Sequence, residues 1–495
     1  MLMKCCNEAD SVEIATMIVS PPASSMPSLR NITLADIHKH FASGKLTSSQ
    51  LVRAYLSRIA EVDHEFNSII ETNPDANDIA RALDVELAEG HRRSHLHGIP
   101  ILLKDNIPTL DKTETTCGSL ALVGARPKQE AAVVAALRNA GAVMLGKSNM
   151  AEWVGFRSTS GCSGWSARGG QTHGPFVKGS KASGSSSGSA VATVLGLCFA
   201  AIGTETCFSI VSPAEKSGVI GYKPTKDLIP SEGIIYASKK QDTVGVLTRT
   251  VKDAMLITHT LVVESDSLQS LPSGMTEEAF LNRLYDSCDS RAKDLKSLRV
   301  GVPLDLIDSE DPPECKVEAF GRMLFRLEAK GAKVRTDVVV QGWCEYAGLL
   351  QKEADIVLDT DMKSAINEYF ANLQTNPRNI NNLQDLIDFT RDCPEEQYSA
   401  RNVAGLERAE ATNHMNDLYQ KMMTKDQSFA SCIEDALNQY DCDVLLIPAL
   451  SASLQTLAAK AGACVMSVPI GMYSEGTPVT VDPKNGLITV APGLP

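Results

Sequence analysis

The chain has 495 residues, 43% of them hydrophobic and 22% charged, and carries a formal net charge of −13 at pH 7. That is ample apolar material for a large core, and an acidic chain with no Lys/Arg-rich run offers no electrostatic footprint for nucleic acid or an anionic membrane. The 13 cysteines include no CxxC and read as thiols of a reducing, cytoplasmic compartment rather than a disulfide framework.

In chain order, residues 1–32 read as a flexible lead-in, Ser/Pro-rich from Ser20 to Ser28, with no basic region and apolar run of a secretory signal. Thr33–Asp63 predicts two helices broken at Ser43-Gly44. Thr47-Ser48-Ser49-Gln50 fits a capping box, in which the Thr47 hydroxyl takes a free backbone N–H and Gln50 reaches back. Asp75–Gly90 predicts another helix. After Gly98 short apolar runs alternate with helical patterns: Ile99–Leu103, helix Gln129–Ala140, Ala142–Leu145, then helix Ala190–Ala200. The apolar stretch Ala190–Ile202 is too short to span a bilayer. Later β-like runs are Ser297–Pro303, Ala332–Val340, Asp443–Pro448 and Cys464–Pro469. Helical patterns cover Val251–Val263, Lys316–Lys330 and Asn402–Tyr440. The polar stretch 264–296 reads as a surface connection or lid. Strands alternating with helices predict an α/β fold: one large domain, residues 33–495, with a mixed, largely parallel central sheet covered by helices on both faces.

Two motifs match signatures that their context contradicts. Gly141–Ser148 fits GxxxxGK[ST] letter for letter, but a helix precedes Gly141 and Ala142–Leu145 reads as a strand, so its N–H groups are committed to a ladder and cannot cradle phosphate. Gly184–Gly188 fits GxSxG with Ser186 at its centre, but a polar loop precedes it where a nucleophile elbow needs an apolar strand. His91, His95 and His97 read as a solvated patch, with no metal site expected.

The remaining chemistry lies in three segments. Lys104 follows an apolar run at a strand end, where a solvated lysine is unexpected. A Ser/Gly-rich run, Ser183–Ser189, opens into a helix whose N-terminal N–H groups favour negative charge. Ser209 ends Gly203-Thr204-Glu205-Thr206-Cys207-Phe208-Ser209. A serine hydroxyl is a weak nucleophile until a base takes its proton, and a lysine desolvated toward neutrality can be that base. A Ser-Ser-Lys relay for acyl transfer is the leading expectation. Spacing alone leaves Lys147 open as the base.

Read together, Gly98–Asn106, Thr115–Ser119, Gly146–Trp153, Phe156–Gln171, Gly184–Ala190, Gly203–Ile210 and Gly218–Thr225 resemble the amidase signature family, strongly over residues 30–260. The resemblance is weaker over 295–490, where Thr375–Asn379 and Ser467–Gly471 still match. It implies Ser209 as nucleophile, Ser185 as bridging serine beside an unusual cis peptide bond, and Lys104 as base. It also implies an oxyanion site from the backbone N–H groups of Thr206, Cys207, Phe208 and Ser209, with Phe156 and Ser158 beside the acyl pocket. Family members use no metal or organic cofactor. The substrate implied is a small-molecule amide or ester.

Three departures stand out. Cys207-Phe208 replaces a Gly-Gly or similarly small pair; phenylalanine at φ > 0 carries a steric cost and would bring a ring next to the carbonyl site. Glu215-Lys216 occupies positions usually small or neutral, and Gly245-Val246-Leu247 replaces the usual Gly-Pro-Met. An intact relay inside an altered pocket suits a biosynthetic enzyme that cleaves, transfers or cyclises one acyl intermediate. The alternatives are a catalytically weakened binding protein on this fold and an amidotransferase subunit. The family continues beyond the Gly493-Leu494-Pro495 type of segment, so a less covered edge and a homodimer through it are further expectations.

Overall fold

The computed structural model describes residues 26–159, 162–264 and 295–495. The lead-in up to residue 25 and nearly all of the expected 264–296 connection lie outside the described residues. Residues 26–32, counted with the lead-in, instead join the body: Ile32 is buried, and Met26 and Leu29 pack on the same core. Their i, i+3 apolar spacing lets one face of the segment settle on the helices beside it.

Helices α1 (Leu34–Ala42) and α2 (Ser48–Val62) form where expected. The α2 capping box is closed by Gln50 N–H to Thr47 Oγ1 at 3.2 Å and Thr47 N–H to Gln50 Oε1 at 2.9 Å. α3 (Ala76–Ala88) packs on α2.

The central sheet has seven strands: β1 (Ile69–Thr72), β2 (Pro100–Lys104), β3 (Val143–Ser148), β4 (Ala200–Glu205), β5 (Ile220–Lys223), β6 (Thr243–Thr248) and β10 (Val465–Ser467), in the order β1-β3-β2-β4-β6-β5-β10. It is mixed, as expected, but only β3–β2 and β2–β4 are parallel. The other four pairings are antiparallel. The parallel strands β2, β3 and β4 are buried on both faces and linked by crossovers through α4 (Ala132–Asn139) and α5 (Ser187–Leu195), which is why they read as continuous apolar runs. The flanking strands β1, β5 and β6 carry weaker sequence signals.

The strands at 299–301, 333–335 and 444–445 do not join this sheet. β7 (Arg299–Gly301), β8 (Lys333–Arg335) and β9 (Val444–Leu445) form a separate parallel sheet, β8-β7-β9, with its own apolar clusters around Val300 and Leu306. The expected helix Asn402–Tyr440 is two, Ala404–Glu410 and Asp417–Gln439, divided where the Asn416 side chain caps the second.

The run Ala190–Ala200 also divides. α5 starts earlier, at Ser187, and ends at Leu195, where Gly196 takes the left-handed conformation; the chain then returns as β4. An apolar run has no period that separates a buried helix from a buried strand. Every residue of α5 but Val194 is buried. Gly188 is required there: a Cβ would lie 2.1 Å from the Ser68 carbonyl oxygen and 2.5 Å from the Asn149 nitrogen.

Candidate active site

Lys104 is the last residue of β2 and is fully buried. In the parallel register Lys104 stands opposite Ser148 and Leu103 opposite Lys147. Side chains alternate across a strand, so the two lysines face opposite sides of the sheet. Lys104 shares its side with α5, where Ser148 Oγ meets Ser189 Oγ at 2.7 Å. Lys147 donates to the Ile107 carbonyl at 2.6 Å and to Thr115 Oγ1 at 2.7 Å on the other side. The register therefore places Lys104, and not Lys147, on the side of the serines.

Three acceptors surround Lys104 Nζ: Ser185 Oγ at 2.7 Å, the Thr204 carbonyl at 2.9 Å and Thr204 Oγ1 at 3.0 Å. Among the described residues no carboxylate takes a hydrogen bond from it. Burial pushes the amine down to about 7, against weaker upward pulls from Asp242 and Glu205 among others. The count matters: a neutral amine has two N–H donors and one lone pair. Thr204 can absorb both donors, leaving the lone pair for the Ser185 hydroxyl.

Ser185 follows a cis peptide bond with Gly184 and is held by its backbone, whose carbonyl accepts from Ala151 N–H at 3.0 Å. The next residue, Ser186, donates its N–H to the Ser209 carbonyl at 2.9 Å, tying the serine-rich turn to the segment after β4. Ser185 and Ser209 line one cavity of about 340 Å³, together with Ala151, Val154, Ser158 and Cys162 from one side and Cys207 from the other.

The turn Thr206–Ser209 alternates. Cys207 and Ser209 line the cavity; Thr206 and Phe208 do not. Thr206 instead turns to Asp242, a buried carboxyl that burial raises to about 6 and that also accepts from Ala237 N–H at 2.7 Å. Phe208 does adopt a positive φ, +67°, and its half-buried side chain is not among the residues lining the cavity. The reversal of chain direction at this left-handed residue presents its two neighbours instead. Ser158 lines the cavity and donates to Asn402 Oδ1 at 3.0 Å, whereas Phe156 packs against the apolar cluster that holds Trp153 and Phe370. Burial pushes the Cys207 thiol up to about 12, so it is no thiolate.

Sequence reading missed four residues that fix this geometry. Glu205 ends β4 and its carboxylate accepts from Ile210 N–H at 2.6 Å and Val211 N–H at 3.0 Å, folding the chain back at the start of α6 (Val211–Ser217). Thr204 and Asn106 complete the lysine's surroundings, with Asn106 Nδ2 3.0 Å from Thr204 Oγ1. Asp242 braces the turn from β6. A carboxylate as the last residue of a buried strand is the signal that could have found Glu205. The histidine patch is likewise not wholly solvated: His97 is buried, its Nε2 2.9 Å from the Leu83 carbonyl. Among the described residues no helix is long and apolar enough to cross a membrane.

The family model described as Amidase matches residues 50–481. A protein of Arthroderma benhamiae named "Putative amidase" is 34% identical over 97% of this chain and 83% of its own length. A glutamyl-tRNA(Gln) amidotransferase chain of Prochlorococcus marinus is 33% identical, over 61% of this chain and 60% of its own length. Among solved structures, the native peptide amidase from Stenotrophomonas maltophilia superposes with a TM-score of 0.77 at 34% identity, covering 89% of this chain and 91% of that one.

Proposed function

Since this chain belongs to the amidase signature family, hydrolases of carbon–nitrogen bonds other than peptide bonds, we propose that Ser209 is its acyl nucleophile, activated by neutral Lys104 through Ser185. The observation that carries this reading is the 2.7 Å contact of a dehydrated lysine amine with a serine that shares one cavity with a second serine.

The lone pair of Lys104 takes the Ser185 proton while Ser185 takes that of Ser209. Ser209 Oγ bonds to the substrate carbonyl carbon, and the π pair moves onto oxygen. Backbone N–H groups of Thr206, Cys207, Phe208 and Ser209 would hold that oxyanion; one such donor is worth about 3 kcal/mol. Collapse breaks the C–N bond, and the proton stored on Lys104 returns through Ser185 to the leaving amine. Water, or another nucleophile in a transferring or cyclising variant, then opens the acyl-enzyme. Ser158 borders the acyl group. Hydrolysis is preferred to the amidotransferase role because the hydrolase-like relatives match over nearly the whole chain and the amidotransferase relatives over about three-fifths. The unpaired cysteines among the described residues fit a cytoplasmic, reducing setting.

The departure at Cys207-Phe208 belongs to the same reading. It narrows the reaction to a particular acyl group, as a biosynthetic enzyme would need, by placing a thiol where the family has a small residue. Turnover of simple amides and esters by the protein and by Ser209→Ala tests the proposal. A Ser209-dependent rate is expected, with a fluorophosphonate adduct on Ser209. Equal rates for the two proteins would eliminate it.

A further inference from the structure

The cavity that holds Ser185 and Ser209 is closed on one side by a segment almost three hundred residues away in sequence. Asp482, Lys484 and Asn485 line it, from the turn of a hairpin whose strands pair Thr480 with Val490 and Val481 with Ile488. The hairpin is fastened to the loop before the serine-rich turn: Lys181 N–H donates to the Ile488 carbonyl at 2.8 Å and Ile488 N–H to the Gly179 carbonyl at 3.0 Å. Its turn is stiffened from within. Asp482 Oδ1 accepts from Lys484 N–H at 2.9 Å, and Gly486 N–H donates to the Asp482 carbonyl at 2.8 Å.

Charge is unevenly spread here. The whole chain carries −13, yet among the described residues the charged side chains that line the cavity are Lys181, Asp482 and Lys484, which sum to +1. Lys181 Nζ is neutralised by Asp482 Oδ2 at 2.6 Å, and the ammonium beside it holds the Asp482 carboxyl below the usual carboxylate range. Lys484 is left as the uncompensated charge. It is exposed and its backbone is fixed, and among the described residues no carboxylate forms an ion pair with its ammonium.

Resting on the Ser209 reading, we infer that Lys484 determines specificity, and that the amide this site takes carries a carboxylate or similar anionic group a short chain away from the scissile carbonyl. Apart from the three charged residues, the cavity lining is neutral and includes the small side chains Ala151, Gly155, Ser163 and Gly184. They accommodate a compact acyl group, and only the hairpin rim discriminates by charge. A cationic rim on an acidic protein also gives an anionic substrate a local attraction that the rest of the surface denies it.

The test uses the full chain and matched anilides: glutaryl-p-nitroanilide, which ends in a carboxylate, and the neutral hexanoyl-p-nitroanilide. The readout is the ratio of their kcat/KM values. Wild type is expected to favour the anionic substrate. Lys484→Ala should lower that ratio about fivefold, mainly through KM, as expected for a partly exposed ion pair. Lys484→Glu should lower it by more than about tenfold and Lys484→Arg should retain it. A ratio insensitive to all three variants, or a neutral substrate preferred by wild type, overturns the inference. A parallel assay follows fluorophosphonate labelling of Ser209, with glutaramic acid and glutaramide as competitors. Stronger protection by the acid, lost in Lys484→Glu, supports the inference, and equal protection defeats it. Absence of any labelling of Ser209 in the wild type would instead remove the acyl-enzyme reading, and this inference with it.

Discussion

Replacing Lys104 by methionine separates the chemistry of the amine from its bulk. The side chain is fully buried and of similar length, so Lys104→Met keeps packing while deleting the lone pair beside Ser185. A positioned general base contributes a factor of about 10² to 10⁴, and the variant should lose that much in kcat/KM at pH 8. The wild type supplies the matching pH signature. With the amine at about 7, half is neutral at pH 7 and about a tenth at pH 6. The wild-type kcat/KM on an anilide should therefore climb roughly tenfold per pH unit below 7 and level off above about pH 8. Stability follows the same group with a definite sign. The folded amine is depressed relative to the unfolded chain, so between about 7 and the ordinary lysine value the unfolded state binds the extra proton. Wild-type stability then rises with pH across that window, by at most about 1.4 kcal/mol per unit, and is flat with respect to this group below it. Lys104→Met should lose that rise and be at least as stable as wild type at pH 7, because a dehydrated amine is no longer buried. Rate profiles from pH 5 to 10 and urea melts at pH 7 and 9 measure both. An activity midpoint near 10, or a variant retaining a tenth of the wild-type rate, would refute the assignment of Lys104 as base.

The other outcomes can be stated briefly. Ser185→Ala should lose at least about a hundredfold in turnover with little change in melting temperature, and it should slow fluorophosphonate labelling of Ser209. Glu205→Gln keeps its volume but weakens the charge-assisted bonds to Ile210 and Val211 N–H; a loss of about 1–2 kcal/mol in stability and a fall in kcat are expected, and unchanged kcat would show that the turn holds itself. Phe208→Gly relieves a left-handed side-chain conformation worth about 1 kcal/mol and should leave the shape of the pH profile untouched. Lys147→Met should alter stability without moving the activity midpoint, since its amine faces away from the serines.

Local pattern singles out the segments of the proposed relay, a lysine at the end of an apolar strand, serines where a helix begins and a serine after a strand; which serine of Ser183–Ser189 bridges and which attacks is implied only by the family resemblance. The capping box of α2 was legible for the same reason, since its partners are three residues apart. What sequence could not give was register and distance. Which of Lys104 and Lys147 faces the serines depends on a one-residue offset between neighbouring strands. The hairpin wall at 480–490 has two-residue and three-residue strands, too short to show a period. The separate β8-β7-β9 sheet was misplaced because its short strands look like any other α/β strand until their neighbours are known. The positive φ of Phe208 is legible from a bulky residue standing where a small pair is usual, but which way the turn aims its ring is not.

Because Lys181 and Asp482 meet across a separation of 301 residues, the order of synthesis sets when the pocket exists. A ribosome that has emitted Lys104, Ser185 and Ser209 has made every member of the proposed relay but not the enclosure around it. The emerging polypeptide stays roofless on that side until the 480–490 ribbon follows and clips down. Proteolytic trimming just ahead of that ribbon would return the molecule to the same open condition.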